Sequence, residues 1–237
     1  MKHPPTINES RVSEIFSSLQ GEGTHLGERH LFIRFEECHI HCEYCDELDK
    51  KGTAMGLEEV MGEVRRIDRE EGPHAFVSLT GGEPLLYLPF LKPLLPRLKE
   101  ERFSIYLETN GILWRALEEV FAWCDCIAMD LKPASVTKEK NFDEDHRRFL
   151  RIAKRKETFI KIVLSKEIDL GEFEAHMRLV AEEAPEIPVI LMPISAGIEG
   201  HEDPALMALL VHLQRFGTRW VRDIRIVPRL HKILKIR

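Results

Sequence analysis

Short runs of apolar, β-branched and aromatic residues alternate along this chain with longer stretches of helical period, and few architectures accept that alternation. RHLFIRFEE (29–37), HAFVSL (74–79), FSIYLET (103–109), CIAMDL (126–131), ETFIKIVL (157–164) and IPVILMP (187–193) read as strands. VRDIRIVP (221–228) is a candidate last strand. Between them, apolar residues recur at helical spacing over 57–71, 89–100, 114–122, 143–154, 170–184 and 204–216. A strand followed by a helix, repeated, makes βα units whose strands lie parallel. The expected fold is therefore α/β: a partial, open TIM-like barrel of about six parallel strands, formed as a single domain over residues 1–237. No internal repeat or low-complexity segment interrupts it, and KPASVTKEKN (132–141) is the longest polar loop.

Such a barrel needs a sizeable core, which 43% hydrophobic residues in a chain of 237 can supply. The net charge of −6 gives no pull toward nucleic acid, whose binders carry basic patches. The locally basic stretch from Arg215 to Arg237 is interleaved with apolar residues and reads as a solvated face. No apolar run approaches the roughly 18 residues that would span a bilayer, so neither nucleic acid nor membrane is expected as a partner. MKHPPTINES at the N-terminus lacks the apolar core of a secretory signal. With five cysteines, three of them clustered, the expectation is a cytoplasmic protein with reduced thiols.

In parallel barrels the chemistry gathers on the loops after the strands, and four such loops here carry unusual residues. CHIHCEYCD (38–46) follows the first strand, TGGEP (80–84) the second, ETNG (108–111) the third and DLKP (130–133) the fourth. The spacing Cys38-x3-Cys42-x2-Cys45 brings three thiols onto one short loop, an odd number that disulfides alone do not account for. Soft sulfur selects zinc or an iron–sulfur cluster. A structural zinc would take His39 or His41 as its fourth ligand. A cubane on three thiolates would instead leave one iron open to a small molecule. The other loops decide less on their own. Gly81-Gly82 and Asn110-Gly111 also make ordinary turns, and Lys132 also suits a solvated surface. Glu108 and Asn110 at a barrel mouth are costly unless used. Cys124 and Cys126, at a strand start on the far side from the loop cysteines, read as buried structural thiols. The histidines are otherwise scattered and suggest no zinc constellation.

The cysteine loop, with Tyr44 just before its last thiol, and TGGEP on the next βα loop together resemble the cluster and cofactor segments of the radical S-adenosylmethionine (SAM) superfamily. EIFSSLQGEGTHLGERHLFIRF (14–35) and VPRLHKILKIR (227–237) are similar to the two ends of the 7-carboxy-7-deazaguanine synthase family, so the resemblance runs along nearly the whole chain. It implies a barrel of radical SAM type, with Cys38, Cys42 and Cys45 holding a [4Fe–4S] cluster. It implies a SAM site at Tyr44, Cys45, Asp46, Gly82, Asp130, Leu131, Lys132, Met192 and Pro193. On the substrate it implies Leu19, Gln20, Gly21, Arg34, Thr80 and Pro228, with Glu22 and Gly23 shaping the loop and Arg34 as a fork for a carboxylate. The glycines of TGGEP would let the main chain approach the amino-acid end of SAM. Two departures stand out. Asp130-Leu131-Lys132 replaces the Ser-Pro-Lys of many members, and Glu47 stands where members that use magnesium carry Thr or Ser. The oxygens of Glu47 suit Mg²⁺ directly or through water, or take over its role.

The activity so implied is that of a carbon–nitrogen lyase. One electron, from a donor such as flavodoxin or ferredoxin, cleaves SAM to a 5′-deoxyadenosyl radical. That radical takes hydrogen from C6 of 6-carboxy-5,6,7,8-tetrahydropterin, whose ring contracts and loses ammonia to give 7-carboxy-7-deazaguanine, on the way to 7-deazapurines such as queuosine. A homodimer is implied as well. Two other readings stand beside this one: a glycyl-radical-enzyme activase, which shares the cluster and an Asp-x-Lys triplet, and a structural zinc-binding module. Arg34 and the LQGEG loop speak against an activase, whose protein substrate needs no carboxylate clamp.

Overall fold

The computed structural model describes residues 9–45, 47, 50–194 and 203–236. Among them, nine strands form one sheet: β1 (Glu9–Leu19), β2 (Arg29–Phe35), β3 (Thr53–Gly56), β4 (Phe76–Gly81), β5 (Ile105–Thr109), β6 (Cys126–Leu131), β7 (Glu157–Leu164), β8 (Val189–Pro193) and β9 (Ile224–Ile226). Their order is β3-β1-β2-β4-β5-β6-β7-β8-β9. From β2 through β9 every neighbouring pair is parallel. With β3 and β9 at the two ends of that order, the sheet stays open. The helices are α1 (Leu57–Glu71), α2 (Leu88–Glu100), α3 (Trp114–Val120), α4 (Ala134–Thr137), α5 (Asp143–Ala153), α6 (Leu170–Glu183), α7 (Pro204–Gly217) and α8 (Leu230–Leu234). Several start on side-chain caps. Glu59 accepts the Gly56 N–H at 2.6 Å before α1, Asp169 the Glu172 N–H at 2.8 Å in α6, and Asp203 the Ala205 N–H at 2.8 Å ahead of Pro204 in α7.

The parallel strands coincide with the seven apolar runs of the sequence, but β1 and β3 were not expected. In β1 only Ser10, Val12 and Phe16 are buried, and the rest is polar or half-exposed, so no clean alternation marks it as a strand. Long-range pairing makes it one: Ile15 lies opposite Ile33, Phe16 opposite Phe32 and Arg11 opposite Ala54. The Phe16 and Phe32 rings stack at 5.0 Å. The expected polar loop 132–141 also needs correction, because α4 lies within it. Val136 and Thr137 are buried there, and the Glu172 carboxylate of α6 accepts the N–H groups of Ala134 and Ser135 at 2.6 and 3.0 Å.

Alternation along the parallel strands separates two surfaces. On β6, Ile127, Met129 and Leu131 face outward into the main core, while Cys126 and Ala128 join a smaller inner cluster and Asp130 lines a cavity above it. On β5, Leu107 points out, Tyr106 lies in the inner cluster and Glu108 lines the cavity. On β7, Ile160 and Ile162 point out, Phe159 lies below and Lys161 above. Helices cover the outward face, which is why these strands read as near-continuous apolar runs. Cys124 and Cys126 are both fully buried, as expected of structural thiols, and burial pushes Cys124 up to about 12.

Candidate active site

A cavity of about 320 Å³ lies at the C-terminal ends of the parallel strands, the end where barrels of this kind place their chemistry. Cys38, Cys42 and Cys45 line one side of it, backed by Ile40, Ile112 and Phe142. Burial pushes the Cys38 thiol up to about 11 and raises Cys42 as well, so these groups stay protonated until a metal centre replaces the proton. The Asn110 side-chain N–H donates toward Cys38 Sγ at 3.7 Å. Among the described residues, the three thiols with their neighbouring histidines do not gather within 4.8 Å of one another. A tetrahedral zinc would hold its sulfurs about 3.8 Å apart.

The TGGEP loop is locked against the chain that carries Cys38. Gly81 has φ +118°, and a Cβ there would sit 2.2 Å from the Phe35 carbonyl oxygen. A Cβ on Gly82 would sit 2.1 Å from the Glu37 carbonyl oxygen. Within the chain, the close approach these glycines permit is to the cysteine-bearing segment. Gly82 N–H donates to the Phe35 carbonyl at 2.9 Å and Glu83 N–H to the Glu37 carbonyl at 2.7 Å. Glu83 itself is fully buried and accepts from Leu85 N–H, Asn110 N–H and the Thr109 hydroxyl at 2.8–3.0 Å, joining TGGEP to ETNG. Burial outweighs those bonds and brings its carboxyl up to about 7.

The opposite wall is polar, and most of its charges are paired. Gln20 donates to one oxygen of Glu108 at 2.8 Å and the Thr80 hydroxyl to the other at 2.6 Å. Burial raises the pKa of Glu108 despite the nearby Lys161. Lys161 reaches Glu22 at 2.5 Å and Asp130 at 3.2 Å. Burial alone would raise Glu22, but Lys161 and Arg229 overcome it and hold that carboxyl near 2. Lys132 binds Asp130 at 2.6 Å, and its ammonium lies 5.6 Å from the centre of the Tyr44 ring. Arg34 pairs with Glu47, which also takes Lys50 at 2.8 Å; the Arg34 Nε is buried and makes no hydrogen bond.

Thirteen residues expected at the site line this cavity: Leu19, Gln20, Gly21, Arg34, Cys38, Cys42, Tyr44, Cys45, Glu47, Thr80, Gly82, Asp130 and Lys132. Four others do not. Leu131 faces the helices, Met192 belongs to the inner apolar cluster, Pro193 is buried beside it in β8, and Pro228 lies outside the lining. Asp46 lies outside the described residues. Glu108 and Asn110, read from the sequence as costly at a barrel mouth unless used, also line it, and Lys161 and Arg229 join the lining without having been singled out. Lys161 had a signal: it is the one charge inside the apolar stretch TFIKIVL.

Comparison with known proteins places this geometry. The Radical SAM superfamily matches residues 32–180, over half of the chain. A 7-carboxy-7-deazaguanine synthase from Geobacter sulfurreducens is 34% identical over 95% of this chain and 97% of its own length. The chain belongs to the 7-carboxy-7-deazaguanine synthase family. A second synthase, from Methanopyrus kandleri, is 31% identical over 94% of this chain and 92% of its own. The crystal structure of QueE from Escherichia coli matches with a TM-score of 0.66 at 21% identity, covering 94% of this chain and 95% of that one, and shares the open α/β fold. As a member of this radical SAM synthase family, the chain is an enzyme of the lyase class acting on a small molecule. The superfamily implies SAM and an iron–sulfur cluster as its cofactors. Among the described residues, no helix is long and apolar enough to cross a membrane.

Proposed function

We propose that the enzyme converts 6-carboxy-5,6,7,8-tetrahydropterin to 7-carboxy-7-deazaguanine with release of ammonia. The observation that carries this reading is one cavity with two walls: three thiols on an apolar backing, and a half-buried Glu108 held by Gln20 and Thr80 in the cavity that Arg34 also lines. Cys38, Cys42 and Cys45 would hold a [4Fe–4S] cluster. They fit one because they share a cavity, sit in an apolar shell and are spread wider than one zinc ion requires. With SAM bound, that group supplies reductive SAM cleavage and hydrogen-atom abstraction from the pterin.

The chain's own residues do the positioning. Tyr44, Gly82, Asp130 and Lys132 line the SAM side, where the Lys132 ammonium offers a cation to an amino-acid carboxylate. Arg34 takes the pterin carboxylate with its fork, the unmatched Nε included. Glu108, with Gln20 and Thr80, faces the N–H edges of the ring. Phe16, Phe32, Ile40 and Val163 supply apolar walls that limit water around a reactive radical. Mg²⁺ does not fit at Glu47, whose carboxylate is already matched by Arg34 and Lys50, and no step is assigned to it. A single cytoplasmic domain, paired as a homodimer and reduced by flavodoxin or ferredoxin, completes the reading.

The test is an anaerobic assay of cluster-loaded protein with SAM, a reductant and the carboxylated pterin, with and without Mg²⁺. The deazapurine should form at the same rate in both. SAM cleavage with no deazapurine would overturn the substrate assignment, and a strict requirement for Mg²⁺ would overturn the reading of Glu47.

A further inference from the structure

We propose that His25, Glu28 and His30 form a site for a divalent transition metal of the zinc class, at the N-terminal end of the barrel and separate from the thiol cavity. These histidines look scattered along the chain, but the turn between β1 and β2 brings them together. Gln20 N–H donates to the Glu28 carbonyl at 2.7 Å and Gly27 N–H to the Gln20 carbonyl at 2.8 Å, closing that turn. One ligand atom from each of the three residues then falls within 4.8 Å of the others. His25 Nδ1 lies 2.9 Å from Glu28 Oε2, and His30 Nε2 lies 3.7 Å from the same oxygen.

Three further features mark this as a metal site rather than a chance cluster. First, His30 is fully buried and its Nε2, aimed at Glu28, makes no hydrogen bond. A buried ring nitrogen whose carboxylate neighbour stands 3.7 Å away, beyond hydrogen-bond reach, is costly unless something bridges the two. Second, the nitrogen of each ring that faces away from the site is already fixed. His25 Nε2 lies 2.8 Å from Glu157 Oε1, and His30 Nδ1 lies 2.7 Å from Ser78 Oγ. Metal-binding imidazoles are oriented by just such outer partners. Third, the Glu28 side chain is 45% exposed, so an ion has a route in and water can complete its coordination. Two imidazoles and one carboxylate suit zinc and its first-row neighbours.

A second grouping, His25 with Cys126 and Glu157, shares one ligand with the first. Its thiol is fully buried among apolar side chains, away from the water that would complete an ion's coordination. The first set is therefore the site. An ion there would tie the turn to β2. The same turn begins with Gln20, Gly21 and Glu22, which line the cavity at the other end of the barrel.

The test titrates cluster-loaded enzyme with Zn²⁺ by calorimetry and with Co²⁺ by visible absorption. One equivalent should bind beyond the cluster iron. It should also bind to the Cys38→Ala, Cys42→Ala, Cys45→Ala triple variant, which removes the loop thiols as competitors. Glu28→Gln and His30→Gln should each lose the equivalent, and Glu157→Gln should weaken it by about 10–100-fold. Glu28 is partly exposed, so its variant keeps the measurement decisive if His30→Gln fails to fold. Wild-type enzyme that binds no extra equivalent would overturn the proposal, as would a Glu28→Gln variant that binds as tightly as wild type. A sulfur ligand in the X-ray absorption of the bound ion would overturn the ligand set.

Discussion

At the base of the barrel interior stand His30, Phe76, Tyr106, Cys126 and Phe159; further along the same strands stand Arg34, Thr80, Glu108, Asp130 and Lys161. Both sets use the same inward-facing positions, yet the lower one is a closed layer of rings and a thiol, and the upper one lines an open cavity of paired charges. The rings of His25, His30, Phe76 and Tyr106 at the base lie 5.0–6.2 Å apart. In the upper layer each buried charge has a counter-charge or a neutral donor at hand, which offsets its removal from water. The contrast teaches that a rigid, dry base lets the mouth carry ionic groups whose geometry is set by one another.

Five experiments sharpen or break that contrast. The largest effect belongs to the mouth: Cys42→Ala should lose bound iron and sulfide, and SAM cleavage should fall to background in an anaerobic 5′-deoxyadenosine assay. At the base, Ile190→Ala should cost about 2–5 kcal/mol in denaturant unfolding while leaving the KM for pterin unchanged. A comparable loss of substrate affinity in that variant would erase the distinction between the two ends.

The third test concerns Glu83, which joins two loops at the mouth. Its folded carboxyl titrates near 7 instead of 4.5, so the protonated form is favoured by folding. The stability it contributes is fully present below pH 4.5 and is lost as pH rises through 7. Relative to Glu83→Gln, wild type should lose roughly 3 kcal/mol across that window, measured by unfolding at a series of pH values. Next, Arg34→Lys should lower kcat/KM for the pterin by about 10–100-fold, as loss of a charged hydrogen bond predicts, with unfolding free energy nearly unchanged. The smallest effect is Asn110→Ala. Removing the N–H that faces Cys38 should shift the cluster's midpoint potential to more negative values in an anaerobic redox titration.

What could be read from the sequence divides along the same physical line. The parallel strands and the cysteine loop are local patterns, an apolar period and a spacing, and both survive in the structure. β1 is not local: its polar residues become a strand only because β2 and β3 flank it. Glu108 was legible only as a costly group at a barrel mouth or part of a strand ending in an Asn-Gly turn, and its grip by Gln20 and Thr80 depends on two segments far from it in sequence. His25 and His30 looked scattered for the same reason, since the turn that unites them closes through main-chain bonds. Leu131 and Met192 show the other direction, because strand alternation turns their side chains into apolar packing and away from the cavity lining.

The contact between Gly21 and the segment around His231 has a consequence for how the enzyme is made. The Leu230 N–H donates to the Gly21 carbonyl at 2.9 Å, and a Cβ on Gly21 would strike the His231 ring at 2.1 Å. A ribosome delivers Gly21 early and His231 late, and domains take shape as they emerge. The thiol loop therefore leaves the tunnel long before His231 does, and the cavity that both line is finished only when the segment around His231 folds back onto Gly21.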